Sequence, residues 1–124
     1  MALNLLVVDD DSILCDSIAR YASNRAHRVE QASTAVQALI SARDRQPDVL
    51  ITDWDLKAEL DGVDVARCVS DIYPEAYIVF ITGKSKTQLE IAAKNIDCYS
   101  ILCKPFSLAE LRDLLRQIET ELNG

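Results

Sequence analysis

Along this chain, apolar and polar positions follow two rhythms. Five short runs rich in Val, Ile, Leu and aromatic residues, LNLLVV (3–8), RVEQA (28–32), DVLIT (48–52), YIVFIT (77–82) and YSILC (99–103), predict strands. The first, third and fourth are continuous rather than alternating, as expected of strands covered on both faces. Between and after them, apolar residues recur at helical spacing: Leu14, Ile18, Tyr21 and Ala22; Val36, Leu39 and Ile40; Val65, Val69 and Ile72; Leu89, Ala92, Ala93 and Ile96; and Leu111, Leu114, Leu115, Ile118 and Leu122. Helix starts are marked by Asp11 or Ser12, by Thr34, and by Ser107 with Glu110 three residues on. Five strands alternating with five helices predict a parallel sheet with right-handed crossovers and helices on both faces, a doubly wound α/β fold.

Length and composition narrow this picture. The 124 residues are about half apolar, which suits one layered core, and the expectation is one domain over residues 1–124. No run is apolar enough to cross a membrane and no basic leader precedes an apolar segment, so a cytoplasmic protein is expected. Twenty acids against thirteen Lys and Arg give a formal charge of −7, which disfavours nucleic acid and anionic lipid as partners. Cys15, Cys68, Cys98 and Cys103 show no C-x-x-C spacing and are read as reduced, mostly buried small apolar residues.

The chemistry lies at the strand ends. In a doubly wound sheet, ligands bind beyond the carboxyl ends of the central strands. The first strand is followed by Asp9, Asp10 and Asp11, the third by Asp53, Trp54 and Asp55, the fourth by Thr82 and Gly83, and the fifth by Lys104 and Pro105. Each signal alone reads as a helix cap or a turn, with Asp11 as ready to cap as to ligate. Together they bring carboxylates, a hydroxyl and an ammonium to one edge. Crowded carboxylates repel by about 4 kcal/mol per pair at roughly 4 Å in an effective dielectric near 20, so a compensating cation is expected. Lys104 supplies one charge, and a hard divalent ion, Mg²⁺ above all or Mn²⁺, supplies two more. A carboxylate so placed can act as a nucleophile towards phosphorus.

From LLVVDDD through DVLITDWDL, DG, VFITG and LCKPFS to the amphipathic last helix, the chain resembles the receiver domains of two-component response regulators of the chemotaxis-regulator type. The resemblance implies a flavodoxin-like sheet of order 2-1-3-4-5 and phosphorelay signalling. In it, Asp53 is the phosphoacceptor for a phosphoryl group from a sensor histidine kinase or phosphotransfer protein. Asp9, Asp10 and Asp53, with the backbone carbonyl of Asp55, hold the metal. Thr82 and Lys104 contact the phosphoryl oxygens, and Pro105 is a cis-proline. A downstream effector reads the outcome, and a homodimer through the last helices and fifth strand is a further implied partner. The family is not enzymatic beyond its own aspartyl phosphorylation and autodephosphorylation.

Three departures and two rivals accompany the resemblance. The segment DLKAELDG lacks the proline the family often carries there and is one residue longer, which shifts the loop bearing Asp55. The position of the family's switch aromatic is Ile101, with Tyr99 two residues earlier and on the same face if the strand is regular. Either Tyr99 takes over part of the switching, or an aliphatic rotamer carries it, or both are core residues. Asp55 and Lys84 lie two residues past the acceptor and the threonine, where they can pair across the phosphoryl group and slow its hydrolysis. The only histidine, His27, precedes an edge strand far from the acids, so a structural role is expected, whereas Trp54 is expected to stand over the site. The rivals are a degenerate receiver that binds partners without phosphorylation, and a phosphatase with D-W-D as its nucleophile and general acid.

Overall fold

The computed structural model describes residues 2–123, so the ends of the expected domain, Met1 and Gly124, lie outside the described residues. The chain runs β1 (Asn4–Val8), α1 (Ser12–Asn24), β2 (Arg28–Ala32), α2 (Ala35–Asp44), β3 (Val49–Asp53), α3 (Gly62–Ile72), β4 (Tyr77–Thr82), α4 (Lys86–Ala92), β5 (Cys98–Cys103) and α5 (Leu108–Asn123). All pairings are parallel, and the order is β2-β1-β3-β4-β5. The winding reverses at β1, so the carboxyl ends of β1 and β3 flank the crevice expected of this topology.

The pleat divides the core between two layers. Leu5, Val7, Val49, Ile51, Val79 and Ile81 face α1 and α5, where they meet Ile18, Leu111, Leu115 and Ile118. Their neighbours Leu6, Val8, Leu50, Ile78 and Phe80 face α2, α3 and α4. The three continuous apolar runs are thus the central strands, buried on both sides, while edge strands β2 and β5 are partly exposed.

The caps follow the sequence closely. Asp11 accepts from the N–H groups of Ile13 and Leu14, Thr34 from Gln37, and Ser107 from Glu110. Asp61 accepts from Val63 and Asp64 while the Asp64 carboxylate accepts from the Asp61 N–H, a capping box at α3 that the sequence reading passed over. Ser85 caps α4 with a single bond, its hydroxyl oxygen accepting from the Gln88 N–H.

Several predicted faces need correction. In α2, Ala35, Ala38 and Ala42 are buried, whereas Val36 and Ile40 are 59% and 48% exposed. The helix lies against β1 and β2 and beside α3 through its small residues, and the bulkier stripe one position round points outward. Ile72, Ala92 and Leu122 likewise fall outside the buried faces of their helices. Cys68 and Cys103 are exposed and only Cys15 is fully buried, so the cysteines are not the mostly buried set expected.

The largest correction concerns β5. The β4–β5 register slips between Ile78 and Val79: Ile78 pairs with Cys98, and Val79 with Ser100, leaving Tyr99 as an extra residue. The strand is therefore not regular where the reading required it to be. Ile101 packs with the α2–α4 layer, but Tyr99 packs with the α1–α5 layer. There its ring meets Tyr77 edge-on at 4.9 Å and its hydroxyl donates to Glu121 of α5. Tyr99 cannot substitute for Ile101 on a face it does not share.

His27 is buried at the opposite end of the sheet from the acids, with its Nδ1 accepting from the Leu3 N–H at 3.1 Å. Its Nε2 stands 3.0 Å from Glu119 Oε1 without the alignment of a hydrogen bond. Burial pulls its pKa below the usual value against the opposing pull of Glu119. The expected structural role fits this placement.

Candidate functional site

Four strands deliver the site. Asp53 is the last residue of β3 and Thr82 the last of β4, while Asp9 follows β1 and Lys104 follows β5. The backbone ladder continues past the strands: Asp9 N–H donates to Ala32 O, Trp54 N–H to Ile81 O and Lys104 N–H to Thr82 O. These bonds fix where each side chain leaves the sheet. Asp9, Asp53 and Thr82 are buried polar residues, at 1%, 6% and 2% exposure.

One carboxylate oxygen from each of Asp9, Asp10 and Asp53 lies within 4.8 Å of the others. Lys104 Nζ reaches between two of them, 3.4 Å from Asp53 Oδ2 and 3.5 Å from Asp9 Oδ2. Asp9 Oδ1 accepts from the Asp11 N–H at 2.8 Å, but its Oδ2 is buried without a hydrogen bond. A buried carboxylate oxygen held only by the Lys104 ion pair, without a hydrogen bond, and facing two further hard oxygen donors fits a divalent cation better than it fits a closed structural network.

Titration reflects the crowding. Burial, then the Asp9 charge, pushes Asp53 up to about 6, against the pull of Lys104. Burial also raises Asp9, opposed by its bond from Asp11 and by Lys104. Burial would lower Lys104, but the carboxylates of Asp53 and Asp9 outweigh it and hold the ammonium above its usual value.

The structure places the other predicted residues as follows. Asp55 and Lys84 pair at 3.0 Å across the mouth of an open cavity of about 300 Å³. Thr82 Oγ1 accepts from the Lys84 N–H at 2.9 Å, so its hydroxyl is engaged by the turn after β4. Lys104–Pro105 is cis, as the resemblance implied. Asp11 caps α1 and lines the cavity, but it is not among the three carboxylates that converge. Trp54 is half-buried against the α2–α4 layer and is not part of the cavity wall, contrary to expectation.

Two site residues were missed. Lys57, in the loop between β3 and α3, lies 3.8 Å from Asp10, and only the loop's conformation brings it there. Gly62 donates its N–H to Trp54 O and packs on the end of β3, where an added Cβ would fall 2.0 Å from Asp53 O. Its signal was the acid-glycine pair Asp61-Gly62, which read as a motif without a reason.

Comparison with known proteins agrees with this geometry. A family model for the response regulator receiver domain matches residues 5–116. The response regulator MprA of Mycobacterium bovis is 32% identical over 125 residues, which takes in 98% of this chain and 54% of MprA. The chain thus spans about half the length of the curated relatives it matches. The receiver domain of NtrX from Brucella abortus superposes with a TM-score of 0.83 at 28% identity, covering 92% of this chain and 96% of that one. A CheY-like receiver domain protein from Methanospirillum hungatei gives 0.85 at 23% identity, covering 99% and 95%, a likeness of fold. Sheet order, site geometry and sequence together show that the chain belongs to the response regulator receiver domain family.

Proposed function

We propose that this domain is a phosphorylation switch whose acceptor is Asp53. The observation that carries the reading is the convergence of Asp9, Asp10 and Asp53 carboxylates on one point with the Lys104 ammonium between two of them. An Asp53 oxygen attacks the phosphorus of a phosphohistidine on a sensor kinase or phosphotransfer protein. The O–P bond forms as the P–N bond breaks, and the electron pair leaves with the imidazole. A divalent cation, Mg²⁺ or Mn²⁺, held by Asp9, Asp10, Asp53 and the Asp55 carbonyl, would neutralise charge on the phosphoryl oxygens. Lys104 pairs with one of those oxygens without moving between strands, because its backbone is tied to Thr82.

Drawing the Thr82 hydroxyl to the phosphoryl group breaks its bond from the Lys84 N–H, so the turn between β4 and α4 must rearrange. Ile101, half-buried opposite Phe80 on the α4 side, is the neighbour that repacks. The output is a change in partner binding, to a downstream effector or to a second copy through the last helices and β5. Expected setting and partners are those of a cytoplasmic phosphorelay.

Asp55 is a poor general acid for a phosphatase. The Lys57 N–H, then Lys84, hold its carboxyl below the usual range, leaving no proton to donate at neutral pH.

The test is the intact mass after incubation with acetyl phosphate, quenched in acid. One phosphoryl adduct per chain is expected, dependent on Mg²⁺ and absent in Asp53→Asn. No adduct in wild type would leave a binding module that works without phosphorylation, and turnover of phosphate esters would point to the phosphatase.

In this reading the Asp55–Lys84 pair, 3.0 Å apart at the cavity that holds Asp53, screens the phosphoryl group from water. Lys84→Ala is expected to shorten the adduct's half-life on the order of threefold. Equal half-lives for the two proteins would show that the pair does not screen water.

A further inference from the structure

Lys57 is the cation for which the site's chemistry has not yet accounted. It sits in the loop between β3 and α3, at φ 54, in the left-handed region. Its neighbour Leu56 is buried in the core at 4% exposure, and its own N–H donates to Asp55 Oδ1 at 2.9 Å. Anchored on both counts, the loop aims the lysine back over β1. Its ammonium stops 3.8 Å from Asp10 Oδ2, while most of its side chain remains in solvent.

Asp10 is the most accessible of the three converging carboxylates, since Asp9 and Asp53 are buried. Any cation reaching the cluster from solvent meets it beside the Lys57 ammonium. We propose that Lys57 is a built-in competitor of the divalent cation: it neutralises Asp10 in the metal-free protein and must be displaced for the cation to bind. The inference rests on the reading of Asp9, Asp10 and Asp53 as metal ligands. Lys84 is held elsewhere, on Asp55, and Lys104 lies deeper, between Asp9 and Asp53. Among the described residues, Lys57 alone pairs with the solvent-side carboxylate, and a hydrated Mg²⁺ bound through Asp10 would compete with its ammonium for that charge. Once displaced, its flexible stem leaves the ammonium at the rim of the cavity.

Calorimetric titration of the whole chain with Mg²⁺ alone, at low salt and without phosphodonor, tests this. Removing the competing charge in Lys57→Ala is expected to tighten Mg²⁺ binding by about three- to tenfold, the scale of one exposed ion pair plus relief of cation–cation repulsion. Lys57→Gly should tighten it equally while relaxing the left-handed backbone, and Lys57→Arg, which keeps the charge, should bind as wild type does. High salt should narrow the difference. Affinities of the Ala and Gly variants within twofold of wild type overturn the proposal. So does an equal gain in Lys84→Ala, which removes the same charge from the cavity without touching Asp10. Absence of Mg²⁺ binding in every protein overturns the metal reading and the competition with it, whereas binding of equal strength overturns the competition alone.

Discussion

Gly62→Ala is expected to destabilise the domain by about 3 kcal/mol, a fall in Tm of roughly 10 °C, and to abolish the phosphoryl adduct in whatever fraction stays folded. The new Cβ would stand 2.0 Å from Asp53 O, 2.9 Å from Asp53 C and 3.0 Å from Thr52 Oγ1. The first two are backbone atoms at the end of a strand buried on both faces, so no flexible side chain can give way. Either α3 withdraws from the sheet, losing its contact with β3 and the bond from Gly62 N–H to Trp54 O, or Asp53 turns out of the cluster. Both outcomes move the acceptor. Gly83 is the control. A Cβ there meets only Lys104 Cδ at 3.9 Å and Cβ at 4.0 Å, ordinary contacts, and its φ is not positive. Gly83→Ala should therefore change stability by less than about 0.5 kcal/mol and leave the adduct intact. Urea unfolding of the three proteins, with intact mass after acetyl phosphate, measures both effects. A Gly62→Ala protein as stable as Gly83→Ala would show that the α3–β3 contact has slack the distances do not suggest.

The contrast between these glycines shows what was legible in the sequence. Central strands were readable because burial on both faces leaves continuous apolar runs, and the caps at Asp11 and Thr34 were readable because their partners lie two or three residues on. Asp9, Asp53, Thr82 and Lys104 could be gathered at one edge because parallel strands end on the same side. What stayed hidden depends on tertiary contact. The buried face of α2 is set by how closely alanines let a helix approach the sheet, not by where the larger apolar residues recur. Tyr99 changed sides because one extra residue in β5 reverses the alternation, and nothing local in CYSILC announces a bulge. Lys57 meets Asp10 only because a left-handed residue folds its loop back.

Asp53→Asn should make the metal-free protein more stable at neutral pH, by about 2–3 kcal/mol, although it removes the acceptor. In the unfolded chain this carboxyl ionises near its ordinary value of 3.8, whereas in the fold burial and Asp9 push it up to about 6. Between those values the folded protein holds a proton that the unfolded chain has lost, so wild-type stability falls as pH rises through the window and stays reduced above it. Asparagine has no charge to desolvate or to set against Asp9. Its advantage should thus be full well above pH 6 and shrink to a small fraction near pH 4, where the unfolded carboxyl is still partly ionised. It should vanish only below the unfolded value of 3.8, where the carboxyl is protonated in both states. Thermal unfolding in EDTA at about pH 7.5 and 4.2 reads this directly, and an Asn variant no more stable than wild type at the higher pH would mean that Lys104, 3.4 Å away, already cancels the penalty. Adding Mg²⁺ should close the neutral-pH gap from the wild-type side, because ligand that binds only the folded state stabilises it and Asp53 is part of the binding cluster. The same unfavourable crowding that weakens the resting fold makes it responsive, since a bound cation relieves a repulsion that the metal-free carboxylates cannot escape.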